Sequence, residues 1–377
     1  MAGQAIIPTN KKDPTGAGRR VRGAQNNFAK RIRLSYLEII KIVDTFEFEV
    51  LKINLADVLL TVCMEINESN HDDTFNQLVI NAALNKDTDY LRAAISLQCE
   101  KIDYACCELS TNEAFYEYKT NPAQLANVNQ TIRAIIDRIF MVDTNNNNVG
   151  PNRAKDLWFM SQYVEPSYLQ GTAQEMANLS NQSEVYAATR PNVEALLFSE
   201  PYQRRIGLLA SREFELMQGF TDDVVKSTQQ ILSSGMAAGQ SPTVVARSLK
   251  KMFDVKQDEK GSYHGSMARA NEIARTEIVG AARDARLDES LQADKEFGFN
   301  SKLMHISALV PTTRHTHAVL HGELRTQSVV RNWYLINGNK INCLCNEVTV
   351  LLDDDGEPLN TRPIKQARKE RKARLGV

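Results

Sequence analysis

From Asn27 onward the apolar positions Phe28, Ile32, Leu37, Ile40 and Val43 recur every three to five residues, approximating one face of a helix. The same spacing predicts helices at about 74–85 and 88–109. Asn121-Pro122 reads as a cap followed by a first-turn proline. Behind it, Leu125, Val128, Ile132, Ile135, Ile136 and Ile139 form a stripe. The run Asn145-Asn146-Asn147-Asn148-Val149-Gly150-Pro151 breaks that helix. Residues 170–184 are polar and read as loop.

Helical register returns from about Gln203 to Ser233 through Leu209, Leu216, Phe220, Val224 and Ile231, and Gly235 and Gly239 stop it. Ser241-Pro242 then opens a helix reaching about Phe253. After a polar hinge at 254–265, a long alanine-rich helix spans Ser266 to Lys295. Beyond Gly298 the period falls to two. Met304, Ile306, Ala308 and Val310 alternate with their neighbours, as do Val348, Val350 and Leu352, and alternation means strand. The expected fold is therefore mainly α-helical (α+β). A basic extended arm (1–26) precedes an N-terminal helical domain (27–144), and an irregular linker (145–202) leads to a central helical region (203–298). A C-terminal α+β module (299–360) and a basic tail (361–377) complete the order.

Composition changes this picture little: 42% hydrophobic and 24% charged residues over 377 positions is an ordinary globular balance. No stretch reaches the roughly 18 uncharged apolar residues of a membrane span, and the start of the chain lacks the apolar core of a secretory signal. We therefore expect no membrane partner, and a protein made and kept in a reducing cytoplasm or inside something assembled there. The cysteines agree, being few and irregularly spaced. Cys63, Cys99 and Cys106 sit among apolar helical residues and read as small core hydrophobes.

Charge changes it more. The net charge is −1, but residues 1–37 carry +7 and residues 361–377 carry +6, leaving −14 on the middle. The cations are Lys11, Lys12, Arg19, Arg20, Arg22, Lys30, Arg31 and Arg33 at one end. At the other they are Arg362, Lys365, Arg368, Lys369, Arg371, Lys372 and Arg374. Basic ends on an acidic body suit contact with nucleic acid or an acidic protein surface, or they are simply solvated tails.

Two constellations invite chemistry. In Ile273-Ala274-Arg275-Thr276-Glu277, Glu277 shares a small-residue face with Ala270, Ala274 and Ala281. No helical neighbour can pair with it, so a buried Glu277 needs a partner from another segment. Arg275 points elsewhere, with Glu272 its one carboxylate at suitable spacing. The expected role of Arg275 and Glu277 is structural: an ion pair or hydrogen-bonded network that docks the helix. The second constellation is His315, His317 and His321 followed by Cys343-Leu344-Cys345. Imidazole and thiolate are zinc's preferred ligands, and a helix over 313–321 would put His317 and His321 on one face. Surface histidines beside a strand-edge cysteine pair are the alternative. A structural zinc is a candidate cofactor, and no catalytic residue is expected. Phosphate-binding glycine loops, H-E-x-x-H and G-x-S-x-G are absent.

In order and spacing, several pieces resemble the Mu F-like minor head proteins of tailed phages, also called head morphogenesis proteins. They are Asp13-Pro14-Thr15-Gly16 before the arginines, the glycine-bearing connection Leu232–Pro242, Ile273–Glu277, Thr313–His317 with Leu320-His321-Gly322, and Cys343-Leu344-Cys345. The match covers roughly 205–352. It departs from the family pattern at Val310-Pro311, at His321, at Asn339-Lys340, and at Leu344, where the family usually has arginine. The resemblance implies a low-copy structural protein, not an enzyme, inside the capsid near the portal vertex. Its partners would be the portal protein, the major capsid protein or scaffold, and packaged double-stranded DNA held without sequence preference. Its roles would be head morphogenesis and genome packaging or ejection. The alternative is a DNA-binding ejection protein, and a metal-dependent hydrolase is a third reading.

Overall fold

A computed structural model describes residues 3–51, 115–119, 121–141, 157–190, 192–254, 259 and 264–376. The helices expected at 74–85 and 88–109, Cys63, Cys99, Cys106 and the 145–151 breaker lie outside these residues. The chain forms two compact units. The larger comprises 1–39, 130–227 and 250–377; the smaller comprises 40–129 and 228–249. The architecture is mainly helical with two small sheets, the α+β class expected.

In the smaller unit, β1 (Phe48–Leu51) pairs antiparallel with β2 (Phe115–Tyr118). Aromatic contacts hold the ribbon, Phe46 and Phe48 against Tyr118 and Phe48 against Tyr116. Its outer backbone is satisfied by the turn after the long helix, where the Tyr116 N–H donates to Gly239 O at 3.0 Å. Helix α7 (Pro242–Met252) begins where Ser241-Pro242 predicts, with the Val244 N–H donating to the Ser241 hydroxyl at 3.3 Å.

In the larger unit, α1 (Gly18–Val43) starts nine residues before Asn27. The helix reaches further back because Asp13 and Thr15 cap it: Oδ2 of Asp13 accepts from the Gly18 N–H at 2.9 Å and Oγ1 of Thr15 from that of Ala17 at 3.3 Å. Its apolar face joins an aromatic cluster with Phe28 against Trp158, Phe159 and Phe220, and with Phe140 from α2 (Pro122–Phe140). Phe220 comes from α6 (Glu200–Ala237), which follows two short helices, α4 (Glu184–Thr189) and α5 (Val193–Leu197). Each such ring contributes at most about 2–3 kcal/mol of burial.

The polar stretch expected to be loop is instead helix α3 (Glu165–Gln182), entered through a π-turn at Met160–Val164. It packs along α8 (Gly265–Phe297), the long alanine-rich helix. The backbones approach so closely at Gly171 that a β-carbon there would lie 2.1 Å from Ala282 O. The polar side of α3 has a definite job. Asn178 Nδ2 and Gln182 Nε2 donate to Thr349 O at 3.0 and 2.9 Å, and Gln182 Oε1 accepts from the Leu351 N–H at 3.0 Å. These amides saturate the open edge of a strand, which would otherwise expose unpaired backbone.

That strand is β5 (Asn346–Leu351), paired antiparallel with β3 (Ser301–Ile306) in a sheet of order β4-β3-β5, where β4 is Leu324–Arg325. Period two sorts the side chains. Met304, Ile306, Val348 and Val350 face Ala5, Ile364 and Ala367. Leu303 faces the other way with Cys343, Cys345, Val330 and Tyr334, the last two from α10 (Gln327–Leu335). Neither terminus is a free arm. Ala5 and Ile7 pack under the sheet, and the basic tail is helix α11 (Arg362–Leu375), with Pro363 in its first turn and Ile364 and Ala367 buried.

Candidate functional site

Two polar sites flank the motif Ile273–Glu277 on α8. In the first, Glu277 finds the cross-segment partner its position demands. Arg212 of α6 donates from Nη2 to Glu277 Oε2 at 2.9 Å and to Glu213 Oε1 at 3.0 Å, and Lys340 lies 3.8 Å from the other oxygen of Glu277. Burial, followed by the neighbouring Glu277 charge, pushes the Glu213 carboxyl up to about 8. Arg275 is not part of this pair. Glu272, its one helical candidate, pairs with Arg269 instead, and Arg275 has no ion-pair partner among the described residues.

The second site is a cleft lined by Arg275, Arg314, Asn342, His317, Cys343 and Cys345, among others. Helix α9 (His315–Ala318) is one turn long and carries His317 inward. Cys343 ends the loop after α10, and Cys345 immediately precedes β5 on its inward face. His317 Nδ1 lies 3.4 Å from Cys343 Sγ and 3.5 Å from Cys345 Sγ, and all three residues are buried. The three donor atoms lie within 4.8 Å of one another. Tetrahedral zinc with bonds of about 2.0–2.3 Å sets imidazole and thiolate donors about 3.5 Å apart, and both His317–cysteine separations match that spacing. The Cys345 N–H donates to Cys343 Sγ at 3.3 Å, and contact with Cys345, followed by His317 and Arg283, pulls the Cys343 thiol well below its ordinary value. Interaction with Cys343, followed by burial, pushes the Cys345 thiol well up.

The other two histidines take no part. His315 is exposed. His321 lies beyond the end of α9, because Gly322 (φ +80°) turns the chain close against Arg368. His321 Nδ1 accepts from the Ser307 N–H at 2.9 Å and Nε2 faces Glu370 at 3.5 Å. Burial depresses its pKa to about 4.

Behind the triad lies a polar network the spacing did not suggest. The buried Glu347 carboxylate accepts from His305 Nδ1 at 2.7 Å and from the Tyr334 hydroxyl at 3.0 Å, while Arg325 approaches to 3.4 Å. His305 and Glu347 are cross-strand register partners, and a glutamate within an apolar alternating strand was the available signal. Trp333 stacks edge-on between His305 and His317, its centroid 4.6 Å from the His317 ring.

The basic residues divide into two groups. Arg20 bonds to Gln170, and Arg31 lies 4.1 Å over the Trp158 ring, so both are turned inward. Arg368 and Arg371 reach Glu323, and Lys11 pairs with Glu370. Arg19, Arg22, Lys30 and Arg33 are exposed, with no ion-pair partner among the described residues. Spaced i, i+3, i+11 and i+14, they form one stripe about 21 Å long on α1. Arg362, Lys365, Lys369, Lys372 and Arg374 are likewise exposed and unpaired on α11.

No protein-family model, no curated protein and no solved structure matches this chain.

Proposed function

We propose that this chain is a structural minor head protein of a tailed phage, seated in the capsid interior near the portal vertex, that acts in head morphogenesis and in genome packaging or ejection. The observation that carries the reading is the pair of helices α1 and α11, docked on the body yet each presenting several exposed cations that have no ion-pair partner among the described residues. Docked helices hold their charges at fixed spacing, which suits a regular anionic surface such as duplex DNA or an acidic face of the portal or capsid protein. Among the described residues no helix is long and apolar enough to cross a membrane. The resemblance of 205–352 to head morphogenesis proteins points the same way. In this reading the chain joins parts and turns over no substrate, and a zinc ion on His317, Cys343 and Cys345 staples α9 to the start of β5.

Co-purification with the portal protein from the same genome, and detection of the chain in proheads and virions, is the direct test. Absence from both particles overturns the reading, as does substrate turnover that depends on His317 or Glu277. A DNA-binding ejection protein is the second reading, favoured by the α1 stripe. Neutralising Arg19, Arg22, Lys30 and Arg33 together should then abolish DNA retention while sparing head incorporation. Loss of four phosphate contacts should lower the salt slope of DNA binding by about 3–4.

A further inference from the structure

The zinc staple proposed above has three protein ligands, and zinc takes four. Its three donor residues all line the cleft beside α8, a cavity of about 40 Å³ that opens to solvent. About three water molecules fit there, at roughly 10–15 Å³ each by this measure. Among the described residues the cleft wall contains no carboxylate, yet it contains two guanidinium groups, Arg275 and Arg314. Arg314 is anchored by donating to the carbonyls of Gly338, at 3.0 Å, and Ile341. Arg275 has no hydrogen-bond or ion-pair partner among the described residues. A zinc ion with two thiolates and a neutral imidazole is uncharged overall, so it does nothing to offset these two cations.

We infer that the fourth coordination position is completed from outside by a carboxylate, supplied by an acidic side chain of a partner protein, with Arg275 and Arg314 as its second anchor. The inference rests on the zinc reading. A carboxylate suits the place because one oxygen can bind the metal while the other accepts a charge-assisted hydrogen bond from a guanidinium. Thr312 and Thr313, on the same wall, offer hydroxyl donors. The cleft would thus be a docking point, closed when the partner's acid enters. No bond to carbon forms or breaks: the carboxylate displaces a water molecule, which leaves to solvent.

The full chain, stripped of metal and loaded with Co²⁺, supplies the readout, since thiolate-to-cobalt charge transfer reports the triad and the visible ligand-field bands report the fourth ligand. Acetate is the probe and inorganic phosphate the comparison. Expected are one cobalt per chain, saturable change in the ligand-field bands with acetate, and at least about tenfold weaker acetate binding in Arg275→Gln and Arg314→Gln at unchanged cobalt stoichiometry. Bands that ignore acetate, respond to phosphate alone, or respond equally in both variants overturn the inference while leaving the metal site standing. Absence of the thiolate charge-transfer band removes the zinc reading, and this inference falls with it.

Discussion

Arg275 and Glu277 are two residues apart on one helix and about 200° apart around it, and the two sites they serve could hardly differ more in completeness. Glu277 is saturated, with Arg212 on one oxygen and Lys340 near the other. Arg275 faces a cleft holding three metal-type donors and, among the described residues, no acid. Burial of ionic groups is tolerated when their partners are built in, and such groups fix how elements dock. Polar groups gathered with unused capacity instead leave room for something not in the chain. A reader of the motif sees two charges; the fold turns one into a joint and the other into an opening.

If the triad holds zinc as proposed, removing that metal is the largest expected perturbation, and it acts on the open side alone. Cys343→Ser and Cys345→Ser should each abolish stoichiometric zinc, measured by elemental analysis, and lower the stability of the C-terminal module by several kcal/mol in zinc-containing buffer, since binding energy is folding energy. A chelator should do the same to the native chain and leave Cys343→Ser unmoved. His315→Ala should change neither quantity. Equal zinc content in His315→Ala and Cys343→Ser would sink the assignment.

On the closed side, Arg212→Ala strands Glu213 and Glu277 without their shared cation. Loss of one member of a buried pair costs about 3–5 kcal/mol; Arg212 is 44% exposed, and solvent screening reduces the expected cost to about 2–3 kcal/mol. Thermal or urea unfolding measures it. If Arg212→Ala lowers zinc content as much as it lowers stability, the two sites are not separate.

How much of this contrast was legible beforehand follows from where information sits in a sequence. Helix α8 and strands β3 and β5 were readable because apolar period is local, and Glu277's need for a distant partner followed from its neighbours alone. Helix α3 was not readable, because Asn178 and Gln182 look like loop residues until the edge of β5 is there to accept them. The termini misled for a related reason: their cations dominate the composition, while Ala5, Ile364 and Ala367 do the docking. Of the three histidine candidates, only His317 reaches the cysteines. A one-turn helix and a left-handed glycine decide that, and neither has a periodic signature.

A pH series sharpens the comparison at intermediate size. Glu213's carboxyl, raised to about 8 in the fold, keeps its proton after the unfolded chain has lost it. The folded state thus binds more protons between about pH 4.5 and 8, and stability from this group falls as pH rises through that window. Glu213→Gln should flatten the fall and raise stability at pH 8, by an amount of up to a few kcal/mol. His321 has the opposite sign. Depressed to about 4, it is neutral in the fold while the unfolded chain gains a proton below about pH 6.5, so stability drops as pH falls toward 4. Urea midpoints from pH 4 to 8.5 for the native chain and Glu213→Gln separate the two. An unchanged slope above pH 6 in Glu213→Gln would remove the carboxyl from the account.

The smallest effect tests the seam itself. Thr276 lies between Arg275 and Glu277, and its hydroxyl accepts from the Asn342 N–H at 3.0 Å. That bond pins the loop whose next residue is Cys343, so Thr276, along with Lys340 of the same loop beside Glu277, ties the saturated site to the open one. Thr276→Val keeps the shape and removes the acceptor, at a cost of about 1 kcal/mol. Because the bond holds the backbone beside Cys343, a proposed metal ligand, zinc affinity should also weaken by no more than about tenfold, the most that 1.4 kcal/mol can transmit. Thr276→Ser, which retains the oxygen, should restore most of both. A Thr276→Val chain that loses stability but binds zinc with native affinity would show the triad to be held by β5 and α9 alone. The two sites would then be neighbours on a helix, without being coupled through it.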